Sequence, residues 1–202
     1  QKAEQLIINY SVSKGEKALA PIDPIDVIEF LGYSVEYVDG KYDSSIYGAL
    51  VPQANTVEIN NDVSFNEGME NFTLAHEIGH IILHLSEIGD EKNSACDIGT
   101  SNSTDSKETE ADKFASFLLM PTQMMKDAFY MLRKKPLYLK KNFILGFVFK
   151  KTKRKRALEF AGKMIQVGNF TNVSKLAMVN RLIGMGLIKG LPYQKNIQKR
   201  RK

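Results

Sequence analysis

All three histidines of the chain fall within nine residues, His76, His80 and His84, and Glu77 sits beside the first of them. The segment runs Phe72-Thr-Leu-Ala-His-Glu-Ile-Gly-His-Ile-Ile-Leu-His84 and contains the pattern HEXXH. On an α-helix, residues i and i+4 share a face and lie about 6 Å apart along the axis. The imidazoles of His76 and His80 can therefore converge on one zinc ion. Glu77, one residue along, can reach a water on that ion without taking a coordination position. Zinc lowers the pKa of such a water from ~16 to about 7. Glu77 is then placed as a general base, taking the proton as the oxygen attacks a peptide carbonyl and delivering it to the leaving amine. Two blander alternatives are a helix with two surface histidines and a closed structural zinc. The apolar residues around the motif argue against the first. A single cysteine argues against the second, since structural sites are usually cysteine-rich.

His84 continues the same row, but a straight helix carries it another ~6 Å along, too far to share the ion. Zinc enzymes with a third histidine ligand break the helix at a Gly and place that residue six positions after the second. Here residue 83 is Leu, so His84 is expected to support the site without binding the metal. The third ligand must come from another element, and Lys107-Glu-Thr-Glu-Ala-Asp-Lys-Phe-Ala115 offers carboxylates. Glu108 shares a helical face with Ala111, Asp112 and Ala115, and the small residues there allow close approach to the histidine helix. Glu108 is the expected ligand, and Asp112 is placed to accept the other N–H of a ligand imidazole. Glu110 points roughly the opposite way, with Phe114 and Phe117, and is the reserve ligand. Glu108 also fits a capping role, three residues after an N-cap at Asp105. Cys96 has no partner for an internal disulfide and is read as incidental, not as a thiolate that inhibits the zinc. Tyr47, Tyr130 and Tyr138 are candidate oxyanion donors, and nothing in their spacing selects one.

Several elements must position these groups. The apolar spacing of Phe72, Ala75, Gly79, Ile82 and Leu83 predicts a helix over about 66–85. A second helix is expected over 106–119, ending before Pro121. Residues 86–107 are polar and read as a loop. Upstream, residues 2–13 form a first helix, and Asp23 caps a short one that opens with Pro24 and stops at Gly32. Residues 33–38, 47–51 and 56–59 read as strands, the last two joined through Pro52-Gln-Ala-Asn55. The result is an α+β unit with a small β-sheet. Helices are also expected at 156–166 and 174–186.

The chain has 202 residues and a net charge of +5, which hides an asymmetry. Residues 1–132 hold 8 Lys and Arg against 22 Asp and Glu, a balance of −14. Residues 133–202 hold 20 basic residues against the single acid Glu159, a balance of +19. This split predicts a metal-binding domain over 1–132 and a basic, mainly helical C-terminal region over 133–202. Such a region could meet nucleic acid, an acidic protein surface, or the acidic part of its own chain. Residues 156–188 have the helix-turn-helix outline, and the polar face of the second helix would offer Lys175, Asn180 and Arg181 to a DNA groove. No run of eighteen apolar residues predicts a membrane span. With one cysteine and no signal-peptide pattern, a cytoplasmic protein is expected.

Thr73-Leu-Ala-His-Glu-Ile-Gly-His80, followed by Glu108-x-x-Ala-Asp-x-Phe-Ala115 and Leu118-Leu-Met-Pro121, resembles the ImmA/IrrE family of metallopeptidases. The segments Pro21–Val38 and Val173–Ile188 fit the same family, and the resemblance spans roughly residues 20–190, weakest at 131–160. It implies a zincin-like unit with a gluzincin-like site holding one zinc ion. The ligands would be His76, His80 and Glu108, and the base Glu77. The family often carries Asn where this chain has Asp112. It also implies a protein substrate, commonly a helix-turn-helix repressor whose cleavage derepresses mobile-element or stress genes. The alternative is a DNA- or protein-binding regulator with a zinc domain that hydrolyses nothing.

Overall fold

The computed structural model describes residues 1–63, 66–85, 105–139 and 152–194. Over these the fold is mixed α+β. The helices are α1 (Lys2–Lys14), α2 (Pro24–Phe30), α3 (Glu67–His84), α4 (Asp105–Leu119), α5 (Thr122–Leu132), α6 (Lys153–Gly168) and α7 (Lys175–Gly184). The strands are β1 (Ser34–Val38), β2 (Gly48–Val51), β3 (Thr56–Asn60), β4 (Leu137–Tyr138) and β5 (Ile188–Lys189). The expected polar loop 86–107 lies mostly outside the described residues, as does Cys96.

The main sheet has the order β1-β3-β2, with β1 parallel and β2 antiparallel to the central β3. Every residue of β3 is buried. Between β2 and β3 the chain turns through Pro52–Ala54 and Asn55, which takes the left-handed conformation that Asn tolerates. Ahead of β2, the Asn60 side chain donates to the carbonyls of Asp43 and Ile46, which fixes the approach of that strand.

The Asn66 side chain caps α3 by accepting from the Met69 amide. Apolar residues continue around the helix, so it runs through the protein with Thr73 to Ile81 all buried. That all-round pattern is the mark of a buried helix. It packs on α4 along a seam of small residues. A Cβ added at Gly79 would lie 3.0 Å from the Ala111 Cα and 3.2 Å from its Cβ. The two backbones can approach this closely only because both positions are small.

The expected division at 132/133 is not a break in the packing. One hydrophobic core contains Leu74, Ile78, Leu118 and Phe129 together with Ala161, Met164, Phe170, Met178 and Leu182. Phe129 of α5 meets Phe160 of α6 edge-on at 5.7 Å. The stretch from Lys134 leads into β4, which pairs in parallel with β5. Charge marks solvent-facing positions and says little about which apolar faces meet. Among the described residues, no helix is long and apolar enough to cross a membrane.

Candidate metal centre

α3 and α4 bring His76, His80 and Glu108 together, with one donor atom from each lying within 4.8 Å of the others. The two helical histidines turn Nε2 to the same point, 2.9 Å apart. Glu108 Oε2 lies 3.1 Å from His76 Nε2, and Oε1 lies 3.4 Å from His80 Nε2. Both histidines are at most 4 % exposed. The capping role considered for Glu108 is therefore not where its carboxylate goes.

The outer ring nitrogens are also engaged. His76 Nδ1 lies 2.9 Å from Asp112 Oδ1. His80 Nδ1 lies 3.1 Å from His84 Nδ1, and His84 Nε2 lies 3.3 Å from Glu110 Oε2. Glu110, the reserve ligand, thus stands outside the cluster, because α4 turns it to His84. The i+4 spacing of His80 and His84 hinted at the first of these contacts. Nothing in the sequence indicated the second, which depends on the rotation of α4.

Glu77 lies fully buried, and neither of its oxygens has a hydrogen-bond partner of ordinary geometry. Burial pushes its pKa up to about 7, with the Glu108 charge adding to the rise and the His76 charge and the Leu50 amide opposing it. Burial by itself would lower the His76 pKa. Its bonds to Asp112 and Glu108 and the charge of Glu77 outweigh that and raise it to about 9. Glu108 is likewise disfavoured as an anion by burial, yet its bonds to His76 and His80 hold it at about 2. Both shifts favour the proton on His76 and the charge on Glu108. A cation would replace the proton on His76 and release it.

The donor set suits a catalytic zinc. Two imidazole nitrogens and one carboxylate make three protein ligands and leave a coordination position open. A buried carboxylate with no partner is costly unless something at the site uses it. Strand β2 borders this carboxylate. The Asn60 amide donates to the Tyr47 carbonyl, which makes Tyr47 and Asn60 a hydrogen-bonded pair. In an antiparallel ladder such pairs alternate, so Gly48 and Leu50 turn their backbone groups away from β3. Of the oxyanion candidates, Tyr47 directly precedes β2. Tyr130 rests edge-on against Phe129, and the Tyr138 ring carries the Lys189 ammonium; both belong to elements that contribute nothing to the cluster.

A cavity of about 530 Å³ borders the site through Asp112. Met69 and Phe72 of α3, Phe117 of α4, and Ala177 and Asn180 of α7 also line it. This role for the C-terminal helices was not legible in the sequence. Two of the three residues that a DNA reader would present to a groove are engaged in the protein. Arg181 is buried, donates to the Met120 carbonyl and to Thr122 Oγ1, and stacks 3.8 Å above the Phe117 ring. Asn180 holds both the amide and the carbonyl of Gln194. Lys175 is exposed.

A search of curated proteins gave no match to this chain. The family model of the IrrE N-terminal-like domain, Peptidase M78, matches residues 28–182. A match over that much of the chain, on an HEXXH helix whose histidines meet a glutamate from the next helix, places this protein in the IrrE N-terminal-like family of metallopeptidases.

Proposed function

We propose that this chain is a zinc-dependent endopeptidase that cuts a protein substrate, with His76, His80 and Glu108 holding the metal and Glu77 as general base. The observation that carries this is the fully buried carboxylate of Glu77 beside three convergent donors that could hold a metal ion. When bound, the ion supplies Lewis acidity to water and to the scissile carbonyl. Glu77 is suited to the proton traffic, because a pKa near 7 lets it accept a proton and release it again at neutral pH. Asp112 accepts the Nδ1 proton of His76 and so leaves Nε2 free for the ion.

The outward backbone groups of Gly48 and the outward Leu50 carbonyl suit an extended substrate strand added along β2. The cavity beside Asp112, with Met69, Phe72 and Phe117 in its lining, suits an apolar side chain of that strand. The substrate class follows from the family resemblance: a helix-turn-helix repressor of a mobile element or stress response, met in the cytoplasm. A regulator that only binds DNA fits less well, since Arg181 and Asn180 are engaged inside the protein. The basic surface remains available for an acidic protein contact.

The test is zinc content by elemental analysis together with cleavage of candidate repressors by wild type and Glu77→Gln. About one zinc per chain in both proteins, with cleavage by the wild type alone, supports the enzyme. A wild type that cannot be loaded with zinc would end this interpretation.

A further inference from the structure

His84 and Glu110 are the polar groups at this site that the proposed chemistry does not use. His84 is 3 % exposed, yet both its ring nitrogens have partners, His80 Nδ1 at 3.1 Å and Glu110 Oε2 at 3.3 Å. Two ring nitrogens cannot both donate to each other, so the His80–His84 contact fixes which ring carries a proton there. His80 faces the cluster with Nε2. A nitrogen that binds a cation must be free of its proton, so the neutral His80 ring keeps its proton on Nδ1 and donates it to His84. His84 Nδ1 is then the acceptor, and its own proton sits on Nε2, facing the Glu110 carboxylate. Every donor in the series meets an acceptor.

We infer that Glu110 and His84 form a relay that orients His80 and fixes its tautomer for metal binding, as Asp112 does directly for His76. His84 and Glu110 are thus positioning residues, and this rests on the metal-site assignment above. The two arms differ in length: Asp112 meets His76 directly, whereas Glu110 meets His80 through His84. The His80 arm ends on a residue that is half exposed, with Glu110 at 54 % side-chain exposure. Glu110 can therefore be changed without opening the core.

The test uses the full chain. Zinc affinity is measured by chelator competition for the wild type, Glu110→Ala and Glu110→Gln. Long-range proton–nitrogen NMR of the zinc-loaded proteins reads the tautomers of His80 and His84. The expected result is His80 protonated on Nδ1 and His84 on Nε2 in the wild type. Glu110→Ala should bind zinc about 10-fold more weakly, at the low end of the range for lost supporting carboxylates. Glu110→Gln should recover part of that loss, because its amide oxygen still accepts. Melting of the metal-free Glu110 variants should match the wild type, which separates a positioning role from a structural one. Affinity unchanged in both variants, or a wild-type His84 protonated on Nδ1, overturns the relay while the zinc site stands. A wild type that binds no zinc overturns both.

Discussion

Glu77 is held in a state that works against folding: a carboxylate out of water, with no hydrogen-bond partner of ordinary geometry. Its pKa in the fold, about 7, lies above the ordinary 4.5, so the folded state favours the protonated form. That preference is fully present below pH 4.5 and is lost as the pH rises through 7. Above pH 7, metal-free Glu77→Gln should therefore melt roughly 5–10 °C higher than the wild type, from roughly 2–3 kcal/mol of relieved burial. Below pH 4.5 the two melting temperatures should converge. The same substitution should retain zinc and lower peptidase turnover by roughly 10²–10⁴, the usual share of a general base. A loss of both stability and zinc would instead make Glu77 a structural residue. At Glu108 the expectation is different. Glu108→Ala should purify with little zinc, whereas Glu110→Ala, loaded at millimolar zinc, should still carry about one ion per chain. Elemental analysis of the two variants distinguishes them.

Between elements, the decisive dimension is the separation of α3 and α4. The histidines ride on one helix and Glu108 on the other, so the cluster exists only while the backbones touch at Gly79 and Ala111. Gly79→Val should force α4 outward, because the added carbons meet Ala111 backbone at about the 3.0 Å already counted for a single Cβ. A destabilisation of roughly 1–3 kcal/mol is expected from overpacking. Zinc affinity should fall with it, although Gly79 touches no ligand. Urea melts and chelator competition on the same samples would show this. Unchanged affinity in a destabilised protein would mean that the seam does not set the ligand geometry. Gly48 plays a comparable part on β2, where a Cβ would stand 2.8 Å from the Thr73 Cγ2 of α3. Strand and metal helix are therefore brought together by the same device.

For the molecule as a whole, the basic C-terminal region belongs to the same core as the metal-binding part. Beyond the packing of Phe129 on Phe160, Asn172 donates to the Ile22 carbonyl and Asn169 to the Ala20 carbonyl, which ties the α6–α7 turn to the loop before α2. A chain truncated after residue 139 should fail to give a cooperative melt, because the α6-facing side of α5 would be exposed. A soluble, zinc-binding 1–139 fragment would contradict this. Arg181→Ala should lower stability by roughly 2–3 kcal/mol through two lost bonds from a charged donor. It should leave any salt-dependent binding of DNA unchanged, since its guanidinium is not at the surface.

The sequence alone determined what periodicity and residue type can encode. The i+4 histidines, the adjacent glutamate and the run of apolar neighbours pointed to a helix carrying a candidate metal site. Ala111, Ala115 and Asp112, on one face with Glu108, pointed to the partner helix. The three main strands and the Asn55 turn were likewise legible, because alternation and turn chemistry are local. The helix α5 and the two-residue strands β4 and β5 were not. The helix directly follows Pro121, which reads as a stop, and the strands gain their identity only by pairing with each other. The destination of Glu110, the burial of Arg181 and the single core depended on how whole elements rotate and dock. Those outcomes are set by side-chain volume and hydrogen bonding across distant segments. Charge distribution, the strongest long-range signal in this sequence, carries no information about either.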